Sequence, residues 1–525
     1  MDHKNIVICS DGTGNTNVKN RGTNVFKLFE AVDVNGHRTN PNLRRQLAFY
    51  DDGVGTQELR WIRAFAGATG YGLSRNVKQL YRELCRVYEP GDSIYLFGFS
   101  RGAFTVRTLA GLITDCGILS PDDPTEREFR ARTRDAYKAY RRKYRALLTR
   151  VARRPGMAAD EFRTRYARRD HAGRPLEPCI KMLGVWDTVD AVGLPFRLAD
   201  LWNAAIWQFK FNTTSLSRIV DKGCHALAMN DDRESFEPVL WDERDGAVSH
   251  RVEQVWFAGA HSNVGGGYPQ QGMSLVALDW MMTKAEQQEL RFTAFAHEQY
   301  RSQQGFADKL YNPRSGLGVF YRWKPRNVTR LCAEKGIAVP RIHVSVLERI
   351  AQAPEGYAPG NMPPDCAVVA TEDDPLVDAR TLSDAIAAAH GGRTAPPLIE
   401  RQAAWVRVGL AAYFIFIIGL AAALARAVVR RLGTATDATD LFTATRPLFD
   451  TFPVNLVVAV LGDPVAASLL ASGLALGYAL SSLSERRTNQ VYSAFWHRHR
   501  SALRTALRRT PAPEVAIDAS AAPML

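Results

Sequence analysis

The run FGFSRGAF places Ser100 between Gly98 and Gly102, with an apolar stretch before it and a helix-forming stretch after it. Between a strand and a helix, G-x-S-x-G makes a tight turn that strains the serine backbone and lifts its Oγ above the sheet edge. The two glycines let strand and helix come close. Amides at the start of the following helix face the same point, where an oxyanion would form. Ser100 is therefore a candidate nucleophile, and the amide of Arg101, the next residue, is a candidate oxyanion donor.

A serine nucleophile needs a base, and the base needs an orienting acid. Two later apolar runs end on suitable residues: IKMLGVWD, where Asp187 follows Trp186, and VEQVWFAGAH, where His261 lies just past Gly259. Ser, Asp, His is the chain order of the α/β-hydrolases. Asp190, Asp231 and Asp232 are rival carboxylates, and His225 and His250 are rival imidazoles. His261 leads because the glycines of HSNVGGGY let the backbone turn its ring to the sheet edge.

The glycine-rich SDGTGN can converge its amides on an anion as it leaves the first strand. Gly12 and Thr13 are thus candidates for the second oxyanion donor, with Asp11 orienting the turn. GATGYG at residues 67–72 lacks both the Lys-Ser/Thr of a P-loop and a preceding strand, so no cofactor is expected. Nor is a metal expected. The acidic NDDRE at residues 230–234 reads as a solvated loop, and the seven cysteines show no C-x-x-C spacing.

Short apolar runs at residues 5–9, 93–98, 180–186 and 254–259 alternate with helix-period segments at 74–88, 103–112 and 275–290. Such alternation predicts an α/β fold with a mainly parallel sheet, whose reactive groups gather at the carboxyl ends of the strands. Residues 121–178 interrupt it with 15 Arg and 2 Lys against 9 Asp or Glu, and read as an inserted helical cap over the site. This segment carries most of the excess behind the net charge of +13 and suits an anionic partner.

The last third changes character. Residues 408–425 and 464–484 are uncharged and of bilayer-spanning length, which predicts a two-helix transmembrane hairpin with Trp405 and Trp496 near its ends. Two spans put the catalytic region and the C-terminal tail on the same side of a membrane. The N-terminus has no signal-length apolar stretch, so no Sec-type export is expected. The predicted divisions are a catalytic domain at 1–345, a linker with a small helical segment at 346–400, the hairpin at 401–484 and a basic tail at 485–525.

ICSDGTGN, YDDGVGT, GYGLSRNVKQLYRELCRVYEPGDSIYLFGFSRGAFTVRTLAG, GVWDTVDAVG, NDDRESFEPVLW and VWFAGAHSNVGGGY follow one another in the chain. In that order they resemble the "uncharacterised α/β hydrolase domain" family, which includes type VI secretion phospholipase effectors of the first lipase group. The resemblance covers roughly residues 3–345. It implies an α/β-hydrolase core, phospholipase A-type serine catalysis on glycerophospholipids, and Ser100, Asp187 and His261 as triad. It also implies delivery to a target-cell periplasm, an immunity protein and a secretion spike carrier as partners. The long basic insertion and the hairpin are not fixed features of that family.

The membrane segments beside the catalytic region favour membrane phospholipid as substrate, and no nucleic acid as partner. A membrane-anchored carboxylesterase or thioesterase acting on a soluble acyl substrate would share the triad. A non-catalytic membrane scaffold would show a broken one, whereas all three residues are present.

Overall fold

The apolar runs form eight strands in one wholly parallel sheet. In the computed structural model of the chain, residues 3–12, 22–52, 71–120, 125–144, 157–189, 214–315, 321–371, 378–434 and 454–508 are described. The strands are β1 (Asn5–Ser10), β2 (Gln46–Asp51), β3 (Ser93–Phe99), β4 (Cys179–Trp186), β5 (Val220–Ala228), β6 (Val252–Phe257), β7 (Arg341–His343) and β8 (Ala367–Val369). Their spatial order is β2-β1-β3-β4-β5-β6-β7-β8. β1 and β3 are buried along their whole length, as expected of parallel strands covered on both faces.

The order reverses between β1 and β3. At such a switch point helices leave to opposite faces and a crevice opens at the carboxyl ends of the strands. One face is covered by α2 (Tyr71–Val87) and α3 (Arg101–Cys116), through Val77, Tyr81, Leu84, Phe104, Val106 and Leu109. The other face is covered by α1 (Asn24–Ala31) and α7 (Gly272–Glu286), which pack Leu28, Leu278 and Trp280 against Val7, Phe97 and Phe257.

The described part of the basic insertion does not form the expected cap. Its helices α4 (Glu126–Tyr144) and α5 (Ala159–Tyr166) pack along the outside of α3. Phe129, Ala136, Tyr137 and Tyr140 give α4 an apolar stripe, and the flank of α3 covers it. The closest approaches fall at Gly111 against Tyr140 and at Gly117 against Ala167. At 1.5 Å rise per residue these lie roughly 15–25 Å along α3 from Ser100. Several of its charges pair locally, as in Arg130 with Glu126 and Lys143 with Asp115. Residues 145–156 lie outside the described residues.

The stretch read as a linker contributes to the sheet. β8 pairs with β7, while α8 (Val344–Gln352) and α9 (Ala379–His390) build a third core with Ile342 and Val368. Its closing element comes from the far end of the chain. α11 (Pro464–Arg508) is one continuous helix whose second half docks Tyr492, Phe495, Trp496 and Leu503 into that core, so residues 485–508 are not a free tail.

α11 and α10 (Ala403–Thr434) are two helices long and apolar enough to cross a membrane. They cross at Gly419 and Gly473, where an added Cβ on either would stand 2.9 Å from the other's Cα. Small residues at such a crossing let backbones approach closely. Most of their apolar surface is uncovered: Ile418 is 67% exposed and Leu476 52%. A soluble hairpin would bury such side chains in the core.

Candidate active site

β1 and β3 converge at their carboxyl ends, and the G-x-S-x-G glycines are what permit it. A Cβ on Gly102 would sit 2.0 Å from the Ser10 carbonyl oxygen, and one on Gly98 would sit 2.6 Å from the Gly102 oxygen. Ser100 lies between them with φ 57° and ψ −121°, a conformation L-residues rarely adopt and one that costs on the order of 1–3 kcal/mol. Its amide donates to the Trp186 carbonyl at 3.1 Å, which ties the turn to the end of β4. Asp187 is the next residue of that strand end, also at positive φ (38°) and fully buried.

His261 opens the short helix α6 (His261–Gly265) just beyond β6. Its Nδ1 lies 2.5 Å from Asp187 Oδ2, and its ring packs between Phe99 (centroids 4.6 Å apart) and Phe236 (5.1 Å). Nδ1–H donating to the carboxylate leaves Nε2 with its lone pair available to accept a proton. The structure thus brings Asp187 and His261 into contact at the strand ends that also carry the Ser100 turn.

The rival residues are otherwise engaged. His225 is buried, accepts from the Thr188 amide through Nε2 and meets Gln254 through Nδ1; burial lowers its pKa to about 3. It braces the turn after Asp187. His250 is exposed and contacts its own helix at the Gly246 carbonyl. Asp231 accepts from the His261 amide at 3.2 Å and is held by Arg233, so it fixes the backbone of the histidine. Asp232 lies beside it in a separate cleft. Asp190 and Thr13 lie outside the described residues.

Asp11 is buried just past the carboxyl end of β1. Its carboxylate accepts from the Gly12 amide at 2.6 Å, Thr23 Oγ1 at 2.5 Å and the Tyr50 hydroxyl at 2.7 Å. The Gly12 N–H is thereby directed at Asp11. Among the described residues no group of three or more His, Cys, Asp or Glu assembles that could hold a metal ion.

One residue of the site has no counterpart in the sequence reading. Arg326 is buried and clamps Asp187 with both guanidinium ends, Nη1 to Oδ1 at 2.7 Å and Nη2 to Oδ2 at 2.9 Å. It also donates to the Ala228 and Phe236 carbonyls. Burial alone would raise the Asp187 pKa, but the Arg326 charge and the His261 hydrogen bond hold it well below the ordinary carboxylate range. Asp187 is therefore an anion at any pH of interest.

The balance at His261 runs the other way. Burial lowers its pKa, and the hydrogen bond and charge of Asp187 offset this only in part. The imidazole is neutral at pH 7 and gains a proton as the pH falls. We therefore expect kcat/KM to rise with pH along an acid limb whose midpoint lies below 6.5, the ordinary histidine value. A pH–rate profile on a soluble ester checks this. A midpoint above 6.5 would mean that the Asp187 charge outweighs burial.

A strap of consecutive residues connects this site to the hairpin. Tyr321 stands edge-on to Phe236, and Arg322 pairs with Glu234 at 2.8 Å while stacking over Phe414 of α10. The Trp323 ring fills the space where Gly409 of α10 lacks a Cβ, and Arg326 ends the strap on Asp187. At the same level Ser484 of α11 donates to the Trp405 carbonyl of α10. The base of the hairpin and the candidate site are thus neighbours.

Fold and site together define a parallel-sheet α/β protein with a strained serine turn, a buried His–Asp pair and an apolar helical hairpin alongside. Residues 4–284 match the family model of the type VI secretion system phospholipase effector Tle1-like catalytic domain, and the chain belongs to that family. An uncharacterised protein of Saccharomyces cerevisiae is 26% identical over 251 residues, 45% of this chain and 33% of the relative. The chain thus spans about a third of that relative's length. The crystal structure of an uncharacterised protein from Pseudomonas aeruginosa aligns at 16% identity with a TM-score of 0.34, over 94% of this chain and 67% of that one. Nothing is transferred from that alignment.

Proposed function

We propose that the chain is a serine phospholipase of the α/β-hydrolase type that cleaves acyl esters of membrane glycerophospholipids. The observation that carries this reading is the Asp187–His261 pair at the strand ends beside the Ser100 turn, next to a hairpin with lipid-compatible exposed surface. In the proposed mechanism Ser100 Oγ attacks the ester carbonyl while His261 Nε2 takes its proton. Asp187 holds the imidazole and stabilises the imidazolium. The Arg101 amide, at the start of α3, holds the tetrahedral oxyanion, and the second donor comes from the Gly12–Thr13 turn. The Gly12 amide faces Asp11 in the structure, and Thr13 lies outside the described residues.

His261 then protonates the leaving lysophospholipid oxygen, and water activated by the same imidazole releases the fatty acid. The Arg101 guanidinium is half-buried beside the nucleophile and meets no carboxylate among the described residues; burial lowers its pKa to about 10. It is suited to a lipid phosphate. The hairpin would seat the enzyme in the bilayer with the strap at headgroup level. Family membership supports delivery by type VI secretion to a target-cell periplasm, a carrier on the secretion spike and an immunity protein in the producer.

The substrate class is tested by comparing phospholipid vesicles with p-nitrophenyl butyrate, using the full chain. Fatty acid and lysophospholipid should appear from vesicles with kcat/KM at least about tenfold above that for the soluble ester, the discrimination expected from about 1.4 kcal/mol of added substrate contact. Turnover of the soluble ester alone would reassign the enzyme to soluble acyl substrates.

A further inference from the structure

Next to the candidate active site a second cleft, of about 400 Å³, lies between the catalytic core and α11. Asp232, Glu485 and Glu355 contribute carboxylates to it, the last facing Arg349 at 3.9 Å, and Tyr311, Trp323, Tyr357 and Tyr492 contribute aromatic walls. None of its lining residues is basic; the cations that border it are Arg314, which meets Glu485 at 3.5 Å, Arg349, which stands over the Tyr357 ring, and Lys309, over the Tyr311 ring. Tyr492 is only 6% exposed, its ring lies against Gly360, and its hydroxyl has no hydrogen-bond partner. A buried hydroxyl left without a partner is costly unless something in the cleft satisfies it.

These walls select a chemistry. Asp232 and Glu485 among aromatic faces form a cage for an alkylammonium group, which takes charge from the carboxylates and cation–π attraction from the rings. Among the described residues the carboxylates do not gather into a group that could hold a metal ion. Burial, Glu485 and Asp231 push the Asp232 carboxyl up to about 7 against the opposing charge of Arg314 and a Trp323 hydrogen bond, and a cation beside it would favour its charged form.

Its depth selects a source. Glu485 directly follows the uncharged run of α11, and Tyr492 is seven residues further on, roughly 10 Å along the helix axis. That is the depth of the polar headgroups beside a hydrocarbon core. Asp232 adjoins Asp231, whose carboxylate holds the His261 amide, so the cleft is one residue removed from the catalytic histidine's support.

We propose that this cleft binds the ammonium of a zwitterionic phospholipid headgroup of the phosphatidylethanolamine type, and so biases a membrane-lipid hydrolase toward such lipids. The inference rests on the phospholipase reading for its biological meaning, but binding can be measured without turnover. The test is calorimetric titration of the detergent-solubilised full chain carrying Ser100→Ala with glycerophosphoethanolamine, glycerophosphoglycerol, ethanolamine and calcium chloride. Glycerophosphoethanolamine should bind and glycerophosphoglycerol should not. D232N/E485Q should weaken binding at least about tenfold, as expected for losing charge-assisted contacts.

Y492F, which removes only the hydroxyl, should weaken binding about threefold and serves as the readout if the double variant does not fold. Equal binding of both glycerophosphodiesters, or binding unchanged in these variants, would overturn the proposal. Calcium binding in place of ammonium would also overturn it. Ethanolamine binding as tightly as the phosphodiester would assign the cleft to a free amine instead of a lipid. Selective binding in a protein whose wild type hydrolyses no phospholipid would leave the cleft standing and refute the phospholipase reading alone.

Discussion

His261→Ala should reduce phospholipid turnover by about 10⁶-fold, and Asp187→Asn by about 10⁴-fold. The inequality follows from the geometry. In the proposed mechanism His261 carries the proton at every step, whereas Asp187 acts only through the 2.5 Å contact to Nδ1. An asparagine can present its NH₂ to the ring and stabilise the wrong tautomer, in which Nε2 carries the proton and cannot serve as base. Initial rates on mixed phospholipid micelles check both variants. The double variant should be little worse than His261→Ala alone, because residues acting as one unit are not additive. Roughly additive losses would mean that Asp187 acts outside the triad.

The second large effect belongs to Arg326. Replacing it with alanine strands a fully buried carboxylate, and breaking a buried ion pair by removing one partner costs about 3–5 kcal/mol. The pH dependence has a definite sign. In the wild type the Asp187 pKa is depressed, so its contribution to stability is present above the unfolded value of about 3.9 and is lost as the pH falls below it. Without Arg326 the burial term dominates, the pKa rises, and that contribution disappears near neutrality.

Thermal melts at pH 7 should therefore show a large drop for Arg326→Ala. The drop should be smaller when Asp187→Asn is added, since no buried charge is then left unpaired. Arg326 touches no reacting atom and is a positioning residue. In any folded fraction of Arg326→Ala, the acid limb of the pH–rate profile should also shift, which a merely structural loss would not produce.

The parts of this site that can be read in sequence are those built from neighbouring residues. The Ser100 turn is legible because strand, glycines and helix are contiguous, and the close approaches at Gly98 and Gly102 give the physical reason for each glycine. Asp187 is legible because it directly follows an apolar strand, and His261 because it lies just past the glycine turn that ends another. Arg326 is not, because it lies 139 residues from its carboxylate in a stretch rich in arginine and lysine, where charge predicts a solvated surface.

β5 was missed because it begins Val220, Asp221, Lys222, Gly223, which gives no apolar signal until the strand passes into the sheet. β7 and β8 are three residues each, too short for any periodicity. An interruption of α/β alternation suggests a lid, which is why the basic insertion reads as a cap over the site. Its apolar stripe of Phe129, Tyr137 and Tyr140 instead matches the flank of α3. The docking of residues 485–508 was hidden by their charge: the apolar side chains Tyr492, Phe495, Trp496 and Leu503 are spaced on one helical face among arginines and histidines.

Catalysis as proposed depends on Ser100. The full chain incubated with phospholipid vesicles and followed by mass spectrometry should release free fatty acid and lysophospholipid, and rapid acid quench should trap a fatty-acyl ester on the peptide that carries Ser100. Ser100→Ala should give neither products nor adduct. Phospholipid hydrolysis that persists in Ser100→Ala, or an acyl adduct on another residue, would contradict it.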